Sequence, residues 1–197
     1  MWECPASQLK RIYYTNCKQA STRALEGLRH LDRGTVIVFG SRFGGAWVVD
    51  LVLVVADFVD HHVSDYRRTL KGLVPDPYWD ITLAPTYADA PEPGGENYDD
   101  WWFRLYRGAT IEAPVNGMYS FFPCMPAGGD TGFPRPMITL PEQYFTTTLS
   151  IGVKGHRMAA PAVAQGEIYG LWESLRNQVL AQGLMLGTYA AMPERRA

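Results

Sequence analysis

Two apolar, β-branched runs separated by a glycine-punctuated stretch dominate the pattern along this chain. Thr35 to Phe39 is the first run, and Trp47 to Val59 is a longer second one, interrupted by Asp50 and Asp57. Between them Gly40 to Gly45 reads as a turn carrying Arg42. Two β-rich runs joined by a glycine-containing loop predict an antiparallel hairpin. The second run is too densely β-branched for a comfortable helix and too short for a membrane span. It is therefore expected to be a central strand of a closed or strongly curved sheet, buried on both faces over part of its length.

The flanking patterns supply the rest. Arg11 to Asn16 predicts a first strand. Ser21 is placed to cap a helix reaching about Leu31, with Ala24, Leu25, Leu28 and Leu31 on one face and Gly34 just beyond its end. Ser64 or Asp65 starts a short helix through Leu70, which Lys71-Gly72 ends. Pro75 to Asp100 is rich in Pro, Gly and Asp and reads as a long loop with one short strand near Ile81 to Leu83. Trp101 to Arg107 and Gly117 to Phe122 return to strand character. Pro123 to Pro136 is expected to be irregular. Met137 to Leu140 and Thr146 to Val153 predict short strands, with a helical turn at Pro141 to Tyr144. Gly166 to Leu186 closes the chain as a helix with Ile168, Leu171, Trp172, Leu175, Val179 and Leu186 as its apolar stripe. The strands and helices do not alternate strictly, so a doubly wound sheet is excluded. The expected class is α+β: a curved, mostly antiparallel sheet or small β-barrel with flanking helices. It forms one domain over 1–197, with a core of about 11–160, the loop 75–100 and the helix 166–186.

Composition narrows the function. A chain of 197 residues, 47% hydrophobic, holds one substantial core. The net charge of -2 gives no global field to attract nucleic acid or an anionic membrane, which argues against a strong non-specific DNA binder. The arginines are scattered. Cys4, Cys17 and Cys124 match no zinc spacing, and an odd number argues against a disulfide framework, so three free thiols and a cytoplasmic setting are expected. The N-terminus lacks the apolar centre of a signal peptide, and no stretch approaches transmembrane length.

The order of elements resembles the PUA-like superfamily, particularly its EVE and ASCH branches. The resemblance is carried by HLDRGTVIVFGS after the first helix, by WVVDLVLVVADFVDH, and by the aromatic strand WWFRLYR, and it covers roughly residues 11 to 122. It implies a barrel that binds RNA, a modified DNA base or a nucleotide, or, for a few ASCH proteins, a small amidohydrolase. A pocket of that kind needs aromatic walls and a few polar groups for the base edge. Tyr14, Asn16, Ser41, Arg42 and Trp102 lie at or near predicted strand ends and are the candidate binding residues, with Tyr13 and Trp101 beside them. Adjacent strand residues face opposite ways, so Trp102 is expected in the pocket and Trp101 in the core. The partner implied is a nucleotide or a modified nucleic acid, and no membrane.

Catalysis on the same scaffold is the competing reading. Cys17 with Lys18, next to a predicted helix N-terminus, is a conceivable nucleophile. His61 with Asp57 is a conceivable general base pair. Each has an ordinary structural explanation that weighs more: a small residue at a strand end, a solvated strand end. No cofactor is expected, because FGSRFGG lacks both the Lys-Ser/Thr of a P-loop and a dinucleotide fingerprint, although its amides and Arg42 suit a phosphate.

Overall fold

The computed structural model describes residues 11–15, 19, 28–88, 92–95, 101–126, 134–140, 145–149, 156–159 and 165–189. The expected hairpin is its spine. Strand β2 (Val36–Phe43) pairs antiparallel with β3 (Ala46–His62). The turn is shorter than the glycines suggested. Gly40, Ser41, Arg42 and Phe43 belong to β2, and only Gly44 and Gly45 turn the chain, at φ 57° and 85°. Two consecutive positive φ values are what a tight hairpin turn asks for and what glycine gives without a Cβ clash.

Around β3 the sheet runs β1 (Tyr13–Tyr14), β4 (Trp102–Gly108), β3, β2, and β6 (Met137–Ile138) joins β3 near its start. Strand β5 (Phe122–Cys124) pairs with β9 (Met185–Gly187), and β7 (Phe145–Leu149) with β8 (His156–Ala159), all antiparallel. The fold is thus α+β with mostly antiparallel strands. Among the described residues the sheet stays open and closes no barrel.

Strand β3 is interrupted twice. Its register against β2 shifts at Phe39/Gly40, leaving Asp50 as an extra residue, and its register against β4 shifts between Val55 and Asp57, leaving Ala56 extra. A bulge bends a strand and re-aims the side chains beyond it. Before the second bulge, Val52 and Val54 face one core together with Phe121, Met118 and three residues of the last helix, Gln165–Ala181: Trp172, Leu175 and Val179. Leu53 and Val55 face the other side, against Tyr14 and Tyr106. The strand is therefore buried on both faces here, as its run of β-branched residues required. Beyond Ala56, Val59 packs against a second core that contains Phe103, Leu105, Tyr66, Leu70, Leu83 and Tyr87.

Helix α1 (Tyr66–Thr69) starts after Asp65 and is closed by Leu70, with Gly72 at φ 73° just beyond. Pro75 to Ala88 departs from expectation. Asp76–Tyr78 (α2), a π-helical turn over Trp79–Leu83 and Ala84–Ala88 (α3) make one helical segment, so neither the loop nor the strand near Ile81 forms there. Pro77 sits in the first turn, where no N–H is needed, and Pro85 follows the wider turn. Helix α4 (Gln165–Ala181) ends five residues earlier than expected. Gly183, at φ 74°, reverses the chain, and Met185 and Leu186 enter β9 instead. Pro123 and Cys124, read as irregular, are in β5. The predicted helix at Ser21 to Leu31 falls mostly outside the described residues, and the turn at Pro141 to Tyr144 wholly so. No described helix is long and apolar enough to cross a membrane.

Candidate functional site

The second bulge carries the site. Val55 lies opposite Gly108 and Asp57 opposite Arg107, so Ala56 has no partner on β4 and is added to the same face as Asp57. Both line a depression of about 250 Å³. Its interior is small and apolar: Gly108, Ala109 and Val115 are buried there. A Cβ on Gly108 would lie 2.6 Å from Ser120 Oγ and 3.0 Å from the Ile12 carbonyl oxygen, so only glycine fits against those neighbours.

Charged side chains reach the depression from three parts of the chain. Arg11, preceding β1, donates from Nη1 to Asp57 Oδ2 at 3.3 Å. Arg107, opposite Asp57 on β4, donates from Nε to Asp57 Oδ1. Arg33 is carried on the Asp32–Gly34 turn, which is pinned by Gly34 N–H donating to the Val55 carbonyl at 2.8 Å, and it also lines the depression. Thr110 adds a hydroxyl to the wall, and its Oγ1 accepts from Ala113 N–H at 3.1 Å. Two guanidinium groups, Arg11 and Arg33, and one carboxylate line this open depression, and Arg107 holds the same carboxylate from beside it. An Asp shared between two arginines fixes their forks, and guanidinium groups are charge-assisted donors suited to anions.

The residues singled out from sequence do not converge. Tyr14 is interior: its ring stacks on Tyr106 at 5.8 Å and meets Phe39 edge-on at 5.2 Å. Ser41 accepts from Arg135 Nη2 at 2.7 Å. Arg42 is exposed near the hairpin tip, 5.8 Å from the Trp47 ring. Trp102 lies at the far end of β3, opposite His62, with the Arg29 guanidinium 4.8 Å above its ring and His30 beside it. Arg42 pairs with Trp47 and Trp102 with His62, so on the order of 50 Å of strand separates them at about 3.3 Å per residue. The shared pocket of Tyr14, Arg42 and Trp102 is therefore corrected: they occupy an interior, a hairpin tip and an opposite edge. Trp101 and Trp102 do face opposite ways, Trp101 packing edge-on against Phe103 in the second core. Asn16, Cys17 and Lys18 lie outside the described residues, as does Cys4; Cys124 is a free thiol.

His61 and Asp57 also separate. His61 opposes Phe103 while Asp57 opposes Arg107, four strand positions away, roughly 13 Å and beyond hydrogen-bond reach. His61 is instead part of the second core. Its Nδ1 faces the Val59 carbonyl at 3.4 Å, leaving Nε2 to accept from the Tyr87 hydroxyl. Burial lowers its pKa from 6.5 to about 4, outweighing the raising effects of the Val59 carbonyl, Asp65 and Asp60. A neutral, enclosed imidazole bonded to a buried tyrosine has no access to a substrate. Burial likewise raises the Tyr78 hydroxyl, which packs beneath Tyr13.

Of the sequence candidates only Asp57 belongs to the depression. Arg11, Arg33 and Thr110 were not singled out for it, because no spacing rule links residues contributed by a strand start, a turn and a loop. The one signal was Asp57 itself, an acid breaking an apolar strand. Among the described residues no cluster of His, Cys, Asp and Glu suits a metal ion. The fold and site together define an α+β protein with an arginine-lined depression at a strand bulge. Comparison with protein-family models, with curated proteins and with solved structures gives no match to this chain.

Proposed function

We propose that this protein binds a small phosphate-bearing ligand of the nucleotide class at the β3 bulge. The observation that carries the reading is that Arg11, Arg33 and Asp57 line one depression beside buried Gly108 and Ala109, with Asp57 held by both Arg11 and Arg107. Guanidinium groups are the side chains that bind phosphate oxygens in pairs, and a glycine floor lets a ligand approach backbone. The outline resemblance to PUA-like proteins, whose members bind nucleic acid or nucleotides, points the same way, and a cytoplasmic setting suits such a ligand. In this reading the phosphate, rather than an aromatic-stacked base, is the recognised group, because no aromatic side chain lines the depression.

The test is titration of the protein with nucleoside monophosphates and with the matching nucleosides by calorimetry. The monophosphates are expected to bind and the nucleosides not to. Arg33→Ala is expected to weaken binding about tenfold or more, the loss of one charge-assisted contact, while Arg42→Ala and Trp102→Ala leave it unchanged. Equal binding by wild type and Arg33→Ala would overturn the assignment of the site.

A further inference from the structure

The outer edge of β2 is a row of backbone hydrogen-bonding groups that β3 does not use. We infer that this edge pairs antiparallel with the same edge of a second copy of the chain, joining two sheets across a two-fold axis beside Val38, whatever ligand the depression takes.

The row follows from the bonds of β3. Val52 donates its N–H to the Phe121 carbonyl at 2.8 Å and accepts the Phe121 N–H at 2.8 Å. Val54 donates to Ser120 Oγ at 2.9 Å and accepts from Ala109 N–H at 2.7 Å. Val49 donates to the Pro136 carbonyl at 3.1 Å. These valines thus turn away from β2. In an antiparallel ladder, opposite residues either exchange both bonds or turn away from each other together. Val38, Val36 and Gly40 lie opposite Val52, Val54 and Val49, so their N–H and C=O groups face outward. Strand β2 ends the order β1-β4-β3-β2, and among the described residues no strand pairs with its outer side. Edge strands are normally guarded by charge, proline or a bulge. Here β2 reads VIVFGSRF, with one charge at Arg42 and no proline, and the extra residue at its bulge, Asp50, belongs to β3. The outer row therefore runs unbroken.

The edge is its own complement. Only even-numbered residues face outward, so they must meet even-numbered residues of the partner. With Val38 opposite the partner's Val38, Ile37 meets the partner's Phe39 and Val36 meets the partner's Gly40. Each apolar residue from Val36 to Phe39 then faces an apolar residue or glycine. Centring on Phe39 would set Val36 against the partner's Arg42. Centring on Ile37 would draw in Gly34, whose N–H is already held by the Val55 carbonyl. Charge agrees with the antiparallel sense. Exposed Asp32 precedes β2 and exposed Arg42 lies near its end, while Arg33 lines the depression. Pairing therefore brings Arg42 to the end where the partner's Asp32 lies. Such an isologous contact closes at two chains, and β1, at the other end of the sheet, is only 2 residues long and offers no comparable edge.

The experiment is sedimentation of the whole chain over a range of micromolar concentrations, with circular dichroism and thermal melts to verify folding. The wild type is expected to reach twice the mass of one chain. Val38→Pro removes an N–H that faces away from β3, where an edge strand tolerates proline, and is expected to leave a folded monomer. Val38→Lys sets like charges face to face only in the dimer and is expected to do the same. The register is read by cysteines. Directly opposite, hydrogen-bonded residues have Cα atoms about 5.5 Å apart, within disulfide reach. Oxidised Val38→Cys should run as a covalent dimer on a non-reducing gel, above the wild-type background. Ile37→Cys should not, because it faces the partner's Phe39. A wild type that stays monomeric would overturn the inference, and so would one that stays monomeric yet takes up an added extended peptide along β2. A dimer that persists in both Val38→Pro and Val38→Lys, or crosslinking by Ile37→Cys in place of Val38→Cys, would overturn it too.

Discussion

The two bulges of β3 use one device with opposite outcomes. At the first, the extra residue Asp50 takes a two-pronged hydrogen bond from Arg135, whose Nη2 reaches Asp50 Oδ2 at 2.9 Å and Ser41 Oγ at 2.7 Å. One cation meets one anion, both half in water, and the pair ties the segment before β6 to the hairpin. At the second, Asp57 is shared by Arg11 and Arg107, and Arg33 stands on the same depression. The first bulge is electrically closed and the second is not. A bulge plus an ion pair is a clamp; a bulge plus surplus charge and small buried residues is the place where a ligand is proposed to bind.

That contrast can be broken in order of expected effect. The largest change is with pH, and it belongs to the strand segment beyond the second bulge. The native pKa of His61, about 4, lies below its unfolded value of 6.5. Between these values the unfolded chain binds a proton that the native protein does not. The contribution is therefore complete above about pH 6.5 and is lost as pH falls toward 4, amounting to roughly 3 kcal/mol for this separation. Urea titrations across this range should show the loss, and His61→Phe should flatten it; an unchanged slope would contradict the burial argument.

Next comes the first bulge itself. A Cβ on Gly40 would stand 2.2 Å from the Val48 carbonyl oxygen, so Gly40→Ala must push the strands apart. About 2–3 kcal/mol of destabilisation by chemical denaturation is expected, the range of a forced overpacking. Asp57→Ala leaves two half-buried guanidinium groups facing one another and is expected to cost about 1–2 kcal/mol, while changing the affinity for a monophosphate. Asp50→Ala is the smallest: both partners are nearly half exposed, and a loss under about 1 kcal/mol with no change in ligand binding is expected. If the two aspartates proved equivalent in binding assays, the distinction between clamp and site would fall.

The hairpin, the short helix after Asp65, the strands at Trp102 and Met137 and the body of the last helix were legible because each follows from local rules: alternation, caps and glycine placement. The helical segment 76–88 was not, because Pro77 and Pro85 read as breakers. Its signal was the i, i+4, i+8 series Trp79, Leu83 and Tyr87, which packs on the second core. The end of α4 was misread because Leu186 fits the helix period while it serves β9. The depression was illegible for a different reason. Its arginines come from separated segments, and only the register of β1, β4 and β3 brings them together. Asp50 and Asp57 were visible as interruptions of the apolar run, and both proved to sit at bulges. What neither revealed was which arginine would answer it.

Ala56 has a further consequence. On one face β3 reads Val52, Val54, Ala56, and then Asp57, Val59, His61; the face changes from even to odd numbers at this single position. Deleting Ala56 would leave every later side chain pointing where it points now, on a strand whose pairing with β4 has become regular. The odd residue is thus dispensable to the inside/outside grammar of the strand and indispensable to the hollow beside it. A chain one residue shorter is expected to fold, with circular dichroism and a cooperative melt like the parent's, and to lack the monophosphate binding proposed for the depression. Shape and stability are here written in different letters of the same strand.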